Sequence, residues 1–280
     1  MRTIVHLSDL HFGRVDTALL EPLRRTIERL TPHVVVVSGD LTQRARAHQF
    51  REARAFLSSL PRPQIVVPGN HDVPLYNVLK RFLGPLDNYR RYISHDLEPS
   101  FVDDEIAIVG VNTARSLTFK GGRVSEEQVE RVRGRLCALD EKITKIVVTH
   151  HPFDLPAQWQ SDQVVGRAVL AMRMFAACGA DVLLAGHIHL SHAGETTARS
   201  DIDGYAGVLV QAGTATSTRA RGEQNSFNAV RVTTDEVTVE RHTWIPDASA
   251  YMLSATDVFE RARRGWIRRT NTAQAAMVNT

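Results

Sequence analysis

Aspartate, asparagine and histidine side chains follow several apolar runs of this sequence, each at the point where the run ends. The segments that carry them are SDLH at 8–11, SGD at 38–40, GNHD at 69–72, THH at 149–151 and GHIH at 186–189. Carboxylate and amide oxygens together with imidazole nitrogens suit Mn²⁺, Fe or Zn²⁺, and no cysteine accompanies them. The sequence therefore predicts a metal site assembled from separate segments.

The apolar runs in front of these segments predict buried strands. The run VVVV at 34–37 is too apolar for a surface and predicts a strand covered on both faces. Amphipathic helical patterns, for example at 17–30 and 45–60, separate the runs, so we expect a mostly parallel sheet with right-handed crossovers. Ligands of such sheets gather at the carboxyl ends of the strands. The polar segments should therefore meet at one edge of the sheet.

Seven side chains of these segments are candidate metal ligands: Asp9, His11, Asp40, Asn70, His150, His187 and His189. Seven ligands are too many for one tetrahedral ion and suit two ions of higher coordination that share a bridging ligand. Asp40 is placed to be the bridge because a carboxylate has two oxygens. Two ions about 3.5–4 Å apart can clamp a phosphate and deprotonate a shared water.

Local backbone geometry should aim these ligands into one pocket. Side chains two positions apart on an extended chain share a face, so each D-x-H or H-x-H pair is expected to point both ligands the same way. Gly39, Gly69 and Gly186 stand just before ligand positions. We expect these glycines to let the backbone turn tightly there.

The five segments, in this order, resemble the signature of the calcineurin-like metallophosphoesterases, D-x-H, G-D, G-N-H-[DE], H and G-H-x-H. The resemblance covers at least residues 3–190 and is greatest to the bacterial cyclic-nucleotide phosphodiesterase and glycerophosphodiesterase branch. It implies an α/β fold of the four-layer α/β/β/α sandwich type. It also implies two divalent or mixed-valence metal ions, manganese or iron, with zinc as an alternative.

The resemblance also implies how the ligands divide between the ions. One ion is expected on Asp9, His11, Asp40 and His189. The other is expected on Asp40, Asn70, His150 and His187.

His71 follows the amide ligand Asn70, and the resemblance implies a role as general acid or as charge stabiliser on the leaving oxygen. Asp72 is a catalytic candidate as a partner behind the site, or else a cap of the following loop. Many relatives have a second aspartate, G-D-x-x-D, where this chain has Gln43. A glutamine accepts a hydrogen bond from an imidazole without adding negative charge, so we expect the pKa of His71 to be raised less.

Candidate substrate-binding residues are Arg14, Asn112, Arg115 and His151, with His192, Arg219 and Arg221 as weaker candidates. The resemblance places the metal ligand at the first position of the HH pair, which implies that His151 faces the substrate or supports a ligand. Glycines, hydroxyls and arginines are concentrated in residues 211–228. This stretch predicts either an ordinary hairpin connection or a wall of the pocket.

These features predict a metal-dependent phosphoric ester hydrolase, specifically a phosphodiesterase acting on small diesters such as 3',5'-cyclic nucleotides. Alternatives that stay open are a phosphomonoesterase, a glycerophosphodiesterase and a nuclease of the same superfamily. A sugar-lipid pyrophosphate hydrolase is disfavoured because such relatives usually read G-N-R-D, and this chain has His71. A non-catalytic scaffold is disfavoured because every ligand position is filled.

Length and composition predict one large α/β domain, or one domain with a small appendage. The chain has 280 residues, of which 43% are hydrophobic. We predict a phosphoesterase domain over 1–245, with a loop or lid at 154–166, and a basic C-terminal extension over 246–280. The β-rich final third predicts an antiparallel layer. A net charge of +3 does not indicate nucleic acid as a partner, although five arginines within 261–269 keep it open.

The remaining expectations concern location and assembly. No apolar run reaches the length of a membrane span, and the first strand begins at Thr3, which leaves no room for a signal peptide. Cys137 and Cys178 are far apart in sequence and predict two separate thiols in a reducing compartment. We therefore expect a cytoplasmic enzyme that acts on a small-molecule phosphoester. A homodimer stays open.

Overall fold

A computed structural model of the chain describes residues 1–118, 121–156, 159, 163–196, 202, 205–219, 222–263 and 265–269. The strands are β1 Arg2–Leu7, β2 Val34–Val37, β3 Gln64–Val66, β4 Ser100–Val102, β5 Ile106–Gly110, β6 Thr144–Val148, β7 Val182–His189, β8 His192–Glu195, β9 Val208–Gly213, β10 Ser226–Val232, β11 Glu236–Ile245, β12 Ala250–Ala262 and β13 Gly265–Arg268. The helices are α1 Leu20–Arg29, α2 Ala47–Ser58, α3 Val78–Leu83, α4 Asp87–Tyr92, α5 Glu126–Leu136 and α6 Ala168–Ala177.

The strands form two sheets that pack face to face. One has the order β13-β12-β11-β10-β1-β2-β3 and the other β4-β5-β6-β7-β9-β8. β1, β2 and β3 pair in parallel, as do β5, β6, β7 and β9, whereas β10 to β13 pair antiparallel. This arrangement confirms the predicted α/β class and the antiparallel layer in the final third of the chain.

Three apolar clusters define the layers. Aliphatic side chains of both sheets fill the space between them, including Val34 and Val36 of β2. Val35 and Val37 face the other way, into a cluster with side chains of α1, α2 and α4. A third cluster packs α5 and α6 on the outer face of the second sheet. The layer order is helix, sheet, sheet, helix, and the four valines are covered on both faces, as predicted.

Residues 250–268 continue the first sheet. The predicted boundary between 245 and 246 falls in the turn between β11 and β12, which pair along their length. Three arginines of this basic stretch have carboxylate partners: Arg261 lies 2.9 Å from Asp181, and Arg268 and Arg269 pair with Asp257 and Glu236. Residue 264 and the tail from 270 onward lie outside the described residues.

The described ends of the predicted lid loop, 154–166, are packed against the protein. Leu155 and Val165 are buried, and Gly166 pairs with the backbone at Arg123. Residues 157, 158 and 160–162 lie outside the described part of the chain, so the lid stays a prediction. Among the helices that the structure describes, none combines the length and the apolar character that a membrane crossing requires.

Cys137 and Cys178 form a disulfide, so the prediction of two separate thiols is wrong. Cys137 caps the C-terminus of α5 and Cys178 that of α6. These helices lie side by side on the second sheet, which brings the two Cα atoms to 4.5 Å. Because the two cysteines are paired, they no longer indicate a reducing compartment. The cytoplasmic location stays a prediction.

Reduction of this disulfide is expected to lower the free energy of unfolding by about 2–4 kcal/mol. The cross-link spans 41 residues, and closing a loop of that size removes conformational entropy from the unfolded chain. Urea unfolding with and without reductant measures the effect. The double variant Cys137→Ser, Cys178→Ser is the control, because reductant should not change its midpoint. A wild-type midpoint that is the same in the oxidised and the reduced protein would contradict this expectation.

Candidate metal centre and active site

The seven predicted ligands come together where the carboxyl ends of the parallel strands of both sheets meet. They lie in or directly after β1, β2, β3, β6 and β7. The loops after β1 and β2 run side by side, with backbone hydrogen bonds from Asp9 to Gly39 and from His11 to Asp40. The two carboxylates and three of the imidazoles are almost fully buried. The seven side chains lie together as expected, but at the adjoining ends of two sheets rather than at one edge of a single sheet.

One cluster consists of Asp9, His11, Asp40 and His189, whose ligand atoms all lie within 4.8 Å of one another. Oδ1 of Asp9 is 3.0 Å from Nε2 of His189 and 3.4 Å from Nε2 of His11. Nε2 of His11 and Nε2 of His189 are 3.2 Å apart. Oδ2 of Asp40 is 3.7 Å from Nε2 of His11. Two nitrogens and two oxygens therefore converge on one point.

A second cluster lies beside the first. Oδ1 of Asn70 is 3.0 Å from Nε2 of His150 and 3.1 Å from Nδ1 of His187. Oδ1 of Asp40 is 3.3 Å from Nε2 of His150. Asp40 thus turns one oxygen toward each cluster. This is the arrangement that a bridging carboxylate requires.

The hydrogen bonds around Asp9 fit a cation. Its Oδ2 accepts from the Ser8 hydroxyl at 2.6 Å and from the backbone N–H of His187 at 3.0 Å. Its Oδ1 is buried and has no hydrogen-bond partner. A buried carboxylate oxygen without a donor is unfavourable unless a positive charge lies against it. The orphaned oxygen therefore fits a metal ion between Asp9 and its imidazole neighbours.

Backbone carbonyls set the tautomers of two imidazoles. Nδ1 of His150 donates to the carbonyl of Ser38 at 2.8 Å, and Nδ1 of His189 donates to the carbonyl of Arg219 at 3.3 Å. With the hydrogen on Nδ1, each ring directs the lone pair of Nε2 into its cluster. In its neutral form, each ring therefore has the tautomer that binds a metal ion.

The ionisation of the cluster also suits cation binding. Burial by itself would raise the pKa of Asp9 and of Asp40, but neighbouring histidines outweigh it and hold both pKa values well below their usual range. Burial lowers the pKa of His187 to about 3, which leaves that imidazole neutral. Burial acts in the same direction on His150, yet Asp40 raises its pKa to about 9. A metal ion must displace the proton of His150 in order to bind there.

The backbone at five of the seven predicted ligands is left-handed rather than extended. The φ angles are +54° at Asp9, +50° at His11, +53° at Asp40, +75° at His187 and +63° at His189. Such angles are uncommon outside glycine and recur at functional sites. The expectation that each pair shares a face because its chain is extended is therefore wrong. The chain turns at these five ligands, and the turns aim both side chains of each D-x-H or H-x-H pair at one point.

The three glycines beside the ligands do not all serve as turns. Gly39 has a φ of +92°, as a tight turn requires. Gly69 and Gly186 are needed for close approach instead. A Cβ on Gly69 would lie 2.8 Å from Cγ of Asp40, and one on Gly186 would lie 2.7 Å from Oδ2 of Asp9.

Replacing Gly69 by alanine is expected to displace the Asp40 carboxylate and to lower metal content from two ions per chain to one or fewer. The added methyl group meets both the Asp40 carboxylate and its backbone N–H, so the chain must shift. Elemental analysis after dialysis measures the loss, and circular dichroism checks the fold. Gly134→Ala is the matched control, because a Cβ there meets nothing within 4 Å. Full metal content in the Gly69 variant would contradict the prediction.

His71 lies at the mouth of the first cluster, with its ring centroid 5.0 Å from that of His11. Its backbone N–H donates to Oδ1 of Asp40 at 2.8 Å. Its Nδ1 donates to the main-chain carbonyl of Gln43 at 3.0 Å, whereas the side-chain nitrogen of Gln43 is 3.4 Å away. The main chain of Gln43, rather than its side chain, therefore orients His71. Burial lowers the pKa of His71.

Asp72 caps the loops and does not orient His71. Its carboxylate accepts hydrogen bonds from the backbone N–H groups of Leu41, Thr42 and Gly69 at 3.2, 2.9 and 2.9 Å, and from the Thr42 hydroxyl at 3.0 Å. These bonds tie the loop that carries Asp40 to the loop that carries His71. Of the two roles predicted for Asp72, the structure favours the loop cap.

His151 lies behind the second cluster. It is fully buried, its Nδ1 is 2.8 Å from the Thr113 hydroxyl, and its ring centroid is 4.5 Å from that of His187. It could hold a metal together with His150 and His187, because the ligand atoms of these three residues lie within 4.8 Å of one another. The geometry favours the supporting role over contact with substrate.

Asn112 and Arg115 have structural partners instead of facing the clusters. Oδ1 of Asn112 accepts from the backbone N–H of Ala114 at 3.0 Å. The Arg115 guanidinium donates to the carbonyls of Asn112 and Ala114 at 3.2 and 2.9 Å, and to the side chain of Gln128. These bonds close the loop after β5 onto the start of α5. The sequence could not reveal them, because Gln128 belongs to a separate helix.

Arg14 has an exposed side chain in the loop after β1. The backbone N–H of Thr218 donates to its carbonyl at 2.9 Å. This bond places Arg14 beside the segment that follows β9, so it stays a candidate at the rim of the cleft.

The segment 214–219, directly after β9, is a wall of the site. The Thr214 and Thr216 hydroxyls donate to the carbonyls of Asp9 and Leu10 at 2.7 and 3.0 Å. At its end, Nη1 of Arg219 is 3.0 Å from Nε2 of His71. Of the two interpretations of residues 211–228, the pocket wall is therefore the better one. Its signal in the sequence was the concentration of hydroxyls and arginines after a strand.

Comparison with known proteins agrees with this geometry. The sequence pattern of the family described as calcineurin-like phosphoesterase matches residues 2–191. The chain belongs to this family. The predicted resemblance is confirmed, and the chain is a metal-dependent phosphoester hydrolase. The family uses a dinuclear metal site, and the two clusters are the candidate for it in this chain.

Two curated relatives and one solved structure illustrate the similarity. The 3',5'-cyclic adenosine monophosphate phosphodiesterase of Escherichia coli is 26% identical over 200 residues, covering 66% of this chain and 69% of the relative. A glycerophosphodiester phosphodiesterase of Enterobacter lignolyticus is 25% identical over 170 residues, covering 54% and 58%. A purple acid phosphatase from yellow lupin shares the fold, with a TM-score of 0.67 and 12% identity over 94% of this chain and 54% of its own.

Proposed function

We propose that this chain is a phosphodiesterase that hydrolyses small phosphodiesters, and that 3',5'-cyclic nucleotides are among them. The observation that carries the proposal is Asp40, which turns one oxygen to each of two ligand clusters directly beneath His71. The two curated relatives, by their names, both act on phosphodiesters.

The proposed metal ligands are those expected from the sequence. Asp9, His11, Asp40 and His189 would hold one ion, and Asp40, Asn70, His150 and His187 the other, with manganese or iron preferred and zinc as the alternative. Such ions, when bound, draw electron density from a phosphate and lower the pKa of water.

His71 is the proposed group at the leaving oxygen. Because Nδ1 donates to Gln43, the other nitrogen, Nε2, faces the cleft. A cleaved diester releases an alkoxide, which is a poor leaving group without a proton or a hydrogen-bond donor beside it. A histidine held at this point can supply either one when Nε2 carries a proton.

The test is a substrate screen with Mn²⁺. It compares cyclic nucleotides, glycerophosphodiesters and bis(p-nitrophenyl) phosphate with p-nitrophenyl phosphate and short DNA. We expect faster turnover of the small diesters than of the monoester or of DNA. Equal or faster hydrolysis of the monoester would favour a phosphomonoesterase and overturn the proposal, and cleavage of DNA alone would favour a nuclease.

A further inference from the structure

Arg219 contacts the candidate centre in two ways. Its carbonyl accepts the hydrogen bond from Nδ1 of His189, a predicted ligand of the first ion, at 3.3 Å. Its guanidinium reaches across the cleft to His71, where Nη1 is 3.0 Å from Nε2. His71 lies on the loop after β3, and Arg219 follows β9 of the other sheet. The two residues therefore face each other from opposite walls of the cleft.

The direction of the hydrogen bond between them is defined. Nδ1 of His71 faces the carbonyl of Gln43, which can only accept, so the ring carries its hydrogen on Nδ1. Nε2 then presents a lone pair to the guanidinium of Arg219, which can only donate. Arg219 thus occupies the one nitrogen of His71 that faces the cleft.

The backbone that carries Arg219 is fixed to the centre. The hydroxyl of Ser217 accepts from the backbone N–H of Arg219 at 3.1 Å, and the side chain of Asn225 donates to the carbonyl of Ser217 at 2.9 Å. Earlier in the same segment, the Thr214 hydroxyl donates to the backbone carbonyl of Asp9. A long, positively charged side chain therefore extends over the cleft from an anchored base.

We propose that Arg219 binds a negatively charged oxygen of the phosphoester, and that its guanidinium moves from His71 to that oxygen when the substrate enters. The inference rests on the proposed function, because it concerns the same site. Guanidinium groups match phosphate oxygens with paired N–H donors. Nε2 of His71 offers one lone pair, so it cannot accept from Arg219 and also contact the leaving oxygen. The exchange frees Nε2 of His71 from the guanidinium.

The experiment replaces Arg219 by glutamine and by lysine. For the metal-loaded Arg219→Gln variant, we expect the Kd of inorganic phosphate and the KM for bis(p-nitrophenyl) phosphate to rise about 10- to 100-fold, the range for a lost hydrogen bond to a charged group. Arg219→Lys should recover part of this loss, because it keeps the charge and loses the paired donors. Metal content should stay at the wild-type value in both variants. Arg173→Gln, at an exposed arginine of α6, is the control and should change neither constant.

A double variant separates substrate binding from mere positioning of His71. If Arg219 binds phosphate, Arg219→Gln should weaken phosphate binding equally in the wild-type and the His71→Ala background. If Arg219 only positions His71, Arg219→Gln should not change phosphate binding in the His71→Ala background. That result would overturn the inference. A phosphate Kd and a KM within about twofold of wild type in Arg219→Gln would also overturn it. Calorimetry with inorganic phosphate needs no turnover, so this test stands even if the wild type cleaves none of the proposed diesters.

Discussion

Asp40→Asn is expected to release at least one metal ion per chain and to lower kcat/KM by about a thousandfold. The amide keeps the shape of the carboxylate but loses the negative charge and one of the two ligand oxygens, so it cannot face both clusters as Asp40 does. A bound ion contributes several kcal/mol of charge stabilisation to phosphoryl chemistry, which corresponds to roughly this loss in rate. Elemental analysis and steady-state kinetics with excess Mn²⁺ measure the two effects.

A matched control for Asp40 is Asp235→Asn, which makes the same chemical change at an exposed position. It should leave metal content and kcat/KM unchanged. The bridging role would be excluded by an Asp40→Asn protein that keeps two ions per chain and loses less than about tenfold in kcat/KM.

His71→Ala is expected to lower kcat by about 10²- to 10⁴-fold, the usual contribution of a positioned acid or base, while both metal ions stay bound. The reason is geometric. The His71 ring contacts the main chain of Gln43 and the side chain of Arg219, and only its backbone N–H touches Asp40. Removing the ring therefore leaves the Asp40 carboxylate held in place. Steady-state kinetics and elemental analysis on the same preparation test this separation.

The leaving group distinguishes the two roles proposed for His71. If it donates a proton, the loss in kcat should be larger for an alkyl diester than for bis(p-nitrophenyl) phosphate, whose leaving group needs no proton. If it only stabilises charge, the losses should be similar. His48→Ala, at an exposed histidine of α2, is the control and should retain full activity. Loss of a metal ion from His71→Ala would contradict the expected separation.

The ligand set could be read from the sequence because each part of it is local. Every predicted ligand follows an apolar run, and apolar runs separated by helical patterns determine a parallel sheet whose carboxyl ends lie at one edge. Asp40 could be predicted as the bridge because a carboxylate has two oxygens and this one follows the buried strand VVVV. The four-layer fold followed from the resemblance and from the β-rich final third of the chain.

Contacts between distant segments were decided by the tertiary structure alone. Cys137 and Cys178 pair because two helices end side by side, and Arg115 is bonded to Gln128 because one loop closes on a helix. Arg219 meets His71 across 148 positions of the chain. No pattern of hydrophobicity or spacing encodes such long-range contacts. They depend on how the sheets and helices pack, and not on the sequence of either contacting segment.

The fine geometry of the ligands also came only from the folded chain. The sequence placed Asp9 and His11 on an extended strand, whereas both have left-handed backbone angles. Such angles are unfavourable for an isolated residue and persist only where surrounding contacts hold them. The sequence by itself therefore determined which side chains gather and what they can bind. The packing of the two sheets determined where each atom points and which other residues, Arg219 above all, reach into the site.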